Sequence, residues 1–165
     1  MKIRPISSKE LFFAHKLTEI EDWGTSLYEL EELYLSDPNG FFVAELNGEL
    51  IGIVSTINYG KFGFIGNLIV LPKFRGKGYG EQLLSYALRH LIENNIQSIY
   101  LDAIPKYVDL YTKHSFRSIC KSLRLEVHSQ DINHSNLINV KPLFHINFKD
   151  LAKFDKEFFY GNRYD

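Results

Sequence analysis

The chain has 165 residues, with 19 Lys and Arg against 20 Asp and Glu and a sequence pI near 6.6, a balance that gives no field for nucleic acid or an anionic membrane surface. One cysteine, Cys120, excludes an internal disulfide and any multi-cysteine metal site, and no apolar run approaches the ~20 residues of a membrane span. The length suits one domain that buries about 70% of its unfolded surface, and the start, Met1-Lys2-Ile3-Arg4-Pro5, lacks the apolar core of a signal peptide, so the expectation is a cytoplasmic protein.

Residues 2–6 read as a short strand, and Ser7-Ser8-Lys9-Glu10 has the spacing of a capping box that opens a helix through about Ile20, with Leu11, Phe12, His15 and Leu17 inward. The acidic Glu19, Glu21 and Asp22 fall in a solvated turn before Trp23-Gly24. Thr25 is the expected cap of a second helix, with Leu27, Leu30, Leu33 and Tyr34 at helical spacing, which stops before Ser36-Asp37-Pro38-Asn39-Gly40. Residues 41–46 and 50–58 flank Asn47-Gly48, a pair that accepts positive φ at both positions, and so form a hairpin with a type I′ turn. A third antiparallel strand, 62–71, ends at Pro72.

Three glycines at alternate positions, Gly76, Gly78 and Gly80, then lead into a helix with Leu83, Leu84, Ala87, Leu88, Leu91 and Ile92 on one stripe, ending near Asn94-Asn95. Alternating glycines let consecutive N–H groups converge at the positive end of the helix dipole, a geometry that holds an anion. Arg75 and Lys77 add two charges in the same turn, and a diphosphate is the natural guest. Neither familiar phosphate motif fits. No Ser or Thr follows a Gly-Lys pair as a Walker loop requires, and Glu81 stands where a dinucleotide fingerprint needs its third glycine. Residues 98–103 form the next strand, and a strand, helix and strand in this order imply a right-handed crossover and a parallel pair. Pro105 precedes a short helix over about 106–114, and 116–127 alternates as a long strand.

The remaining pattern, Arg75-Gly76-Lys77-Gly78-Tyr79-Gly80 after a Val-x-Pro strand end, resembles the acetyl-CoA loop of the GCN5-related N-acetyltransferase (GNAT) superfamily, and the likeness runs from about residue 2 to 127. The resemblance implies an α/β (α+β) GNAT fold: a mixed, mostly antiparallel sheet with a splayed parallel central pair and flanking helices. It implies acetyl-CoA as acyl-donor cosubstrate, with Leu68, Ile69 and Val70 binding the pantetheine arm through their backbone and Arg75, Gly76, Lys77, Gly78, Tyr79 and Gly80 holding the diphosphate. The family's Leu-Tyr-x-x-x-Gly-Phe appears as Leu110-Tyr111 followed by Ser115-Phe116, with serine in place of the glycine. Tyr111 is the candidate general acid for the leaving thiolate. An asparagine the family often carries seven residues earlier is replaced by Ile104.

A general base is open among several groups: Asn67, which could orient a water on the strand into the loop, Glu45 on a neighbouring strand, and Asp102 at the end of the next. His114 reads as an ordinary helix-surface residue. The six histidines show no metal-ligand spacing, so no metal is implied. The expected function is transfer of an acetyl group from acetyl-CoA to a primary amine, on a small-molecule acceptor, by direct attack in a ternary complex. The alternative is a non-catalytic acetyl-CoA or CoA-binding sensor or regulatory module. An exposed sheet edge near the tail would suit pairing in a homodimer.

The tail repeats the start. Ile138-Asn139-Val140-Lys141-Pro142-Leu143 echoes residues 1–6, and Lys149-Asp150-Leu151 follows as Lys9-Glu10-Leu11 does. Together with Asp155, Phe159, Gly161 and Arg163, this resembles the opening of the second half of bacterial tandem-GNAT proteins, whose first halves the chain also resembles. The expected organisation is a GNAT acetyl-CoA-binding domain at 1–128 and a C-terminal extension at 129–165.

Overall fold

A computed structural model describes residues 1–122 and 147–159. Its centre is a five-stranded sheet of β1 (Lys2–Pro5), β2 (Phe41–Leu46), β3 (Glu49–Asn58), β4 (Gly63–Val70) and β5 (Ile99–Leu101), in that spatial order. The first three pairings are antiparallel and β4 with β5 is parallel. Helices α1 (Leu11–Ile20) and α2 (Leu27–Ser36) lie on one face of the sheet and α3 (Tyr79–Glu93) on the other. Two further helices follow, the short α4 (Val108–Lys113) and α5 (Phe148–Phe158).

The β2–β3 hairpin follows from Asn47 and Gly48, whose φ values of 52° and 82° are the pair a type I′ turn demands. Strand alternation then sorts the core into two layers. Phe41, Val43, Ile53 and Ile69 pack with Leu11, Ala14, Leu17 and Leu30. Phe42, Ala44, Val54, Ile65 and Val70 pack with Leu83, Leu84, Ala87 and Leu91. Ile65 and Ile69 are four residues apart and should share a face, yet they sit in different layers. The cause is a β-bulge: Ser55 pairs with Gly66 and Ile53 with Ile69, so Val54 on β3 is opposed by both Asn67 and Leu68 on β4. Asn67 adopts φ 48° to make it.

Some expected details shift. Ser26, not Thr25, caps α2, because its hydroxyl accepts from Glu29 N–H at 3.2 Å while the Glu29 carboxylate accepts from Ser26 N–H at 2.6 Å. The Ser26 hydroxyl also donates to that carboxylate at 2.9 Å, and the two bonds the carboxylate accepts, from the Ser26 N–H and then the hydroxyl, lower the Glu29 pKa. Helix α1 buries Leu11, Ala14, Leu17 and Thr18, whereas Phe12 is exposed beneath the Lys16 ammonium. Ile92 also faces solvent, one position beyond the stripe that ends at Leu91. The strand expected over 98–103 is confined to β5, and the one expected over 116–127 is absent from residues 116–122, the rest lying outside the described residues. The repeat at 138–143, Gly161, Arg163 and the boundary near 128 also lie outside them. Lys149 to Leu151 lie in the first turn of α5, which begins at Phe148 and is capped by Asn147, and the Phe159 ring just beyond it packs against Tyr59 and Phe62. Among the described residues no helix is long and apolar enough to cross a membrane.

Candidate active site

Pairing between β4 and β5 covers only Gly63 to Ile65 against Ile99 to Leu101. Beyond it β4 runs on through the bulge to Val70, with no strand beside it on that edge among the described residues. A cleft of about 350 Å³ occupies the gap. Its walls come from Ile65 to Val70 on β4, from the loop and first turn of α3, from Leu101 and Asp102 at the end of β5, and from Tyr107, Leu110 and Tyr111 around α4. Leu68, Ile69 and Val70 line this cleft, as do Arg75, Gly76, Gly78, Tyr79 and Gly80, whereas Lys77 is not among its walls.

The loop has the geometry its glycines predict. Gly76 and Gly78 adopt φ 73° and 79°, and Gly78 is the N-cap of α3. A Cβ would meet nothing within 4 Å at either position, so the requirement is conformational, and the space above them is open. None of the backbone N–H groups from Gly76 to Glu81 donates to an acceptor in the described structure; the first helical bond is Gln82 N–H to the Gly78 carbonyl. These unpaired donors at the positive end of a 15-residue helix make a built anion site.

The two basic side chains are placed differently from one another. Arg75 turns back, its Nε donating to the Val70 carbonyl at 2.7 Å and its guanidinium pairing with Glu21. This corrects the expectation of a solvated turn at Glu21: its side chain is only 13% exposed and, with Trp23, forms part of the cleft wall. Lys77 leans over the Phe74 ring at 5.7 Å.

Tyr111 is mostly buried, edge-on to Phe116 with ring centroids 6.1 Å apart. Burial raises the phenol pKa, and Tyr107 adds to the effect, so the hydroxyl stays protonated near neutral pH. Ser115, in place of the family's glycine, keeps the left-handed backbone at φ 66°, so the turn after α4 survives the substitution. Ile104 also lines the cleft.

Of the groups considered as a base, Asn67 and Asp102 line the cleft. The Asn67 amide donates to Ser55 Oγ at 3.1 Å. Glu45 belongs elsewhere, on β2, where it shares Arg4 with Glu10. His114 is not on open surface. Its Nε2 is buried, without a hydrogen-bond partner, 3.6 Å from a Glu81 carboxylate oxygen. Sequence reading missed Glu21, Trp23 and Tyr107 as wall residues; only the fold brings them to the cleft.

A loop of unpaired donors at a helix start, beside a parallel pair that parts after three residue pairs, defines a class of mixed-sheet fold with an anion site built into its open edge. Residues 8–116 match the model of the acetyltransferase (GNAT) family, and the chain belongs to that family. It is 29% identical over 156 residues to holothin acyltransferase from a Pseudoalteromonas species, covering 93% of this chain and 51% of that one. With mycothiol acetyltransferase from Streptomyces avermitilis it shares 36% identity over 99 residues, 58% of this chain and 30% of the other. The chain thus spans about half the length, or less, of these two curated relatives.

Solved structures share the fold. Rv2747 from Mycobacterium tuberculosis, in complex with CoA and NLQ, superposes with a TM-score of 0.65 at 18% identity, over 79% of this chain and 78% of that one. An acetyltransferase with acetyl-CoA from Clostridium acetobutylicum gives 0.60 at 21% identity, over 76% and 95%.

Proposed function

We propose that this protein is an N-acetyltransferase that moves the acetyl group of acetyl-CoA to a primary amine of a small-molecule acceptor by direct attack within a ternary complex. The observation that carries the reading is a single cleft in which an anion-binding helix start and a protonated phenol face the same open strand edge. Relatives named for holothin and mycothiol support a small acceptor.

The unpaired N–H groups suit the diphosphate of acetyl-CoA, which would supply an already activated thioester, so positioning would carry most of the catalysis. The free N–H groups from Gly76 to Glu81 would hold the diphosphate, with Lys77 adding charge. Those backbone groups of Leu68 to Val70 that face the edge left open beyond β5 would bind the amide-bearing arm and polarise the carbonyl under attack. Arg75 acts chiefly as a brace, tying the loop to β4 and to Glu21. Tyr111 would give its proton to the departing thiolate, a role that requires the protonated phenol that burial maintains. Asn67 would align the amine, or a water that takes its proton, from the α1–α2 side of the sheet.

Isothermal titration with acetyl-CoA, with free CoA and NADH beside it, tests the cofactor. Binding of acetyl-CoA and CoA but not NADH is the expected result, followed by thiol release in a screen of small amines. Binding without turnover across the screen would favour a sensor or regulatory module, and a folded protein that binds neither ligand overturns the reading.

A further inference from the structure

β3 buries two hydroxyl residues, Ser55 and Thr56, and the Thr56 hydroxyl donates to the Gly40 carbonyl at 3.0 Å. Ile51, Ile53 and Val54 are apolar and fully buried, and Ser55 follows at 2% exposure. A hydroxyl buried among such neighbours is unfavourable unless it is satisfied. Its partner is the Asn67 amide, 3.1 Å away, at the bulge where β4 leaves β5. Ser55 is two residues from Ile53 with β3 in regular register against β2 between them, so it faces the α1–α2 layer, the side that carries Glu21 and Trp23. Its cross-strand neighbour is Gly66, where a Cβ would come 3.2 Å from the Ser55 Oγ. The absent side chain leaves room for the bond. Asn67 Nδ2 is thereby held, while its Oδ1 has no partner among the described residues, and Asn67 lines the cleft.

We infer that Ser55 is a positioning residue for acetyl transfer: it locks the Asn67 side chain at the bulge so that Oδ1 is presented to the N–H of the attacking nucleophile. The inference rests on the transferase reading above. A neutral amide oxygen accepts from an amine N–H without trapping it as an ammonium, which suits an attack that needs the free amine. The bulge supplies the direction and the serine removes the rotamer freedom.

The test measures thiol release from acetyl-CoA with hydroxylamine as the acceptor, for the full chain and for Ser55→Ala, Ser55→Thr, Asn67→Ala and the Ser55→Ala/Asn67→Ala double variant. Ser55→Ala is expected to bind acetyl-CoA as the parent does and to lower kcat about three- to tenfold, the worth of one neutral hydrogen bond. Ser55→Thr should recover most of the loss. In the Asn67→Ala background the same change should cost nothing further, because its effect passes through that amide. An equal loss in both backgrounds, or none in either, overturns the inference.

Should Ser55→Ala fail to fold, the parent's Asn67 side-chain amide signals decide. Slowed exchange of one amide proton and contact to Ser55 are expected, and their absence overturns the bond itself. A parent that does not bind acetyl-CoA refutes the cofactor reading instead. One that binds it but releases no thiol with hydroxylamine or with any amine of the screen refutes transfer and this inference together.

Discussion

Replacing Gly78 separates the two demands that the loop makes on one residue. Gly78 sits at φ 79°, and a Cβ there would have nothing within 4 Å. Alanine therefore meets no clash, only the left-handed strain of about 1–2 kcal/mol. In a chain of this size that lowers the thermal midpoint by roughly 2–8 °C, while the backbone donors remain and acetyl-CoA affinity stays close to the parent's. Tryptophan adds the same strain and also fills the open space above the donors. If it displaces only two charge-assisted bonds of about 1.5–3 kcal/mol each, affinity falls roughly a hundredfold or more. Isothermal titration of both variants, each checked for folding by circular dichroism, reads the contrast. A folded Gly78→Trp protein that binds acetyl-CoA as tightly as the parent would falsify the loop assignment.

Tyr111→Phe removes the proposed acid and should lower kcat by about a hundredfold or more, with acetyl-CoA affinity retained; unchanged turnover rejects the role. Because burial raises that pKa, the donor form persists to higher pH than for a free phenol, so no fall in kcat from Tyr111 is expected between pH 7 and 9 in a pH–rate profile. Glu10 is held down to about 2 by Arg4, from an ordinary 4.5, so its contribution to stability is complete above the ordinary value and is lost as pH falls toward 2. Glu10→Gln should therefore cost on the order of 1 kcal/mol at pH 7, given the solvent around the pair. The gap from the parent should narrow between pH 5 and 3 in urea titrations, and a gap that is constant with pH argues against the ion pair. Gly52→Ala would place a Cβ 2.6 Å from the Ile69 carbonyl and 3.1 Å from Leu83. A stability loss of about 1–3 kcal/mol is expected, with weakened acetyl-CoA binding because β4 must shift; a neutral result contradicts the close approach of the strands.

What the sequence discloses is what short-range chemistry decides. Asn47-Gly48 specifies its turn by itself, and Gly76 and Gly78 announce both the positive φ and the access they give to the backbone. The order of strand, helix and strand carries the parallel pair. What it conceals depends on partners far along the chain. Glu21 looks like one acid in an acidic turn, because Arg75, 54 residues later, is what draws it into the cleft. The bulge at Asn67 has no local signature: Gly66-Asn67 could sit in a regular strand, and only the pairing with β3 shows the extra residue. Ser115 appears as a departure from its family when read as a letter, yet its backbone does what the glycine would do. Residues 116–127 read as a strand by alternation, yet 116–122, the part described, have no strand partner among the described residues, and periodicity alone does not make a sheet.

The short seam between β4 and β5 has a thermal consequence. Three residue pairs join β5 to the sheet, whereas β3 is paired along most of its length on both sides. Local opening should therefore start at β5 and carry the following segment, with α4 and its phenol, away from the loop. Amide exchange at Ile99 to Leu101 would run ahead of that at Ile53 and Val54, and on heating, catalytic competence would disappear several degrees before the helices and the long strands melt.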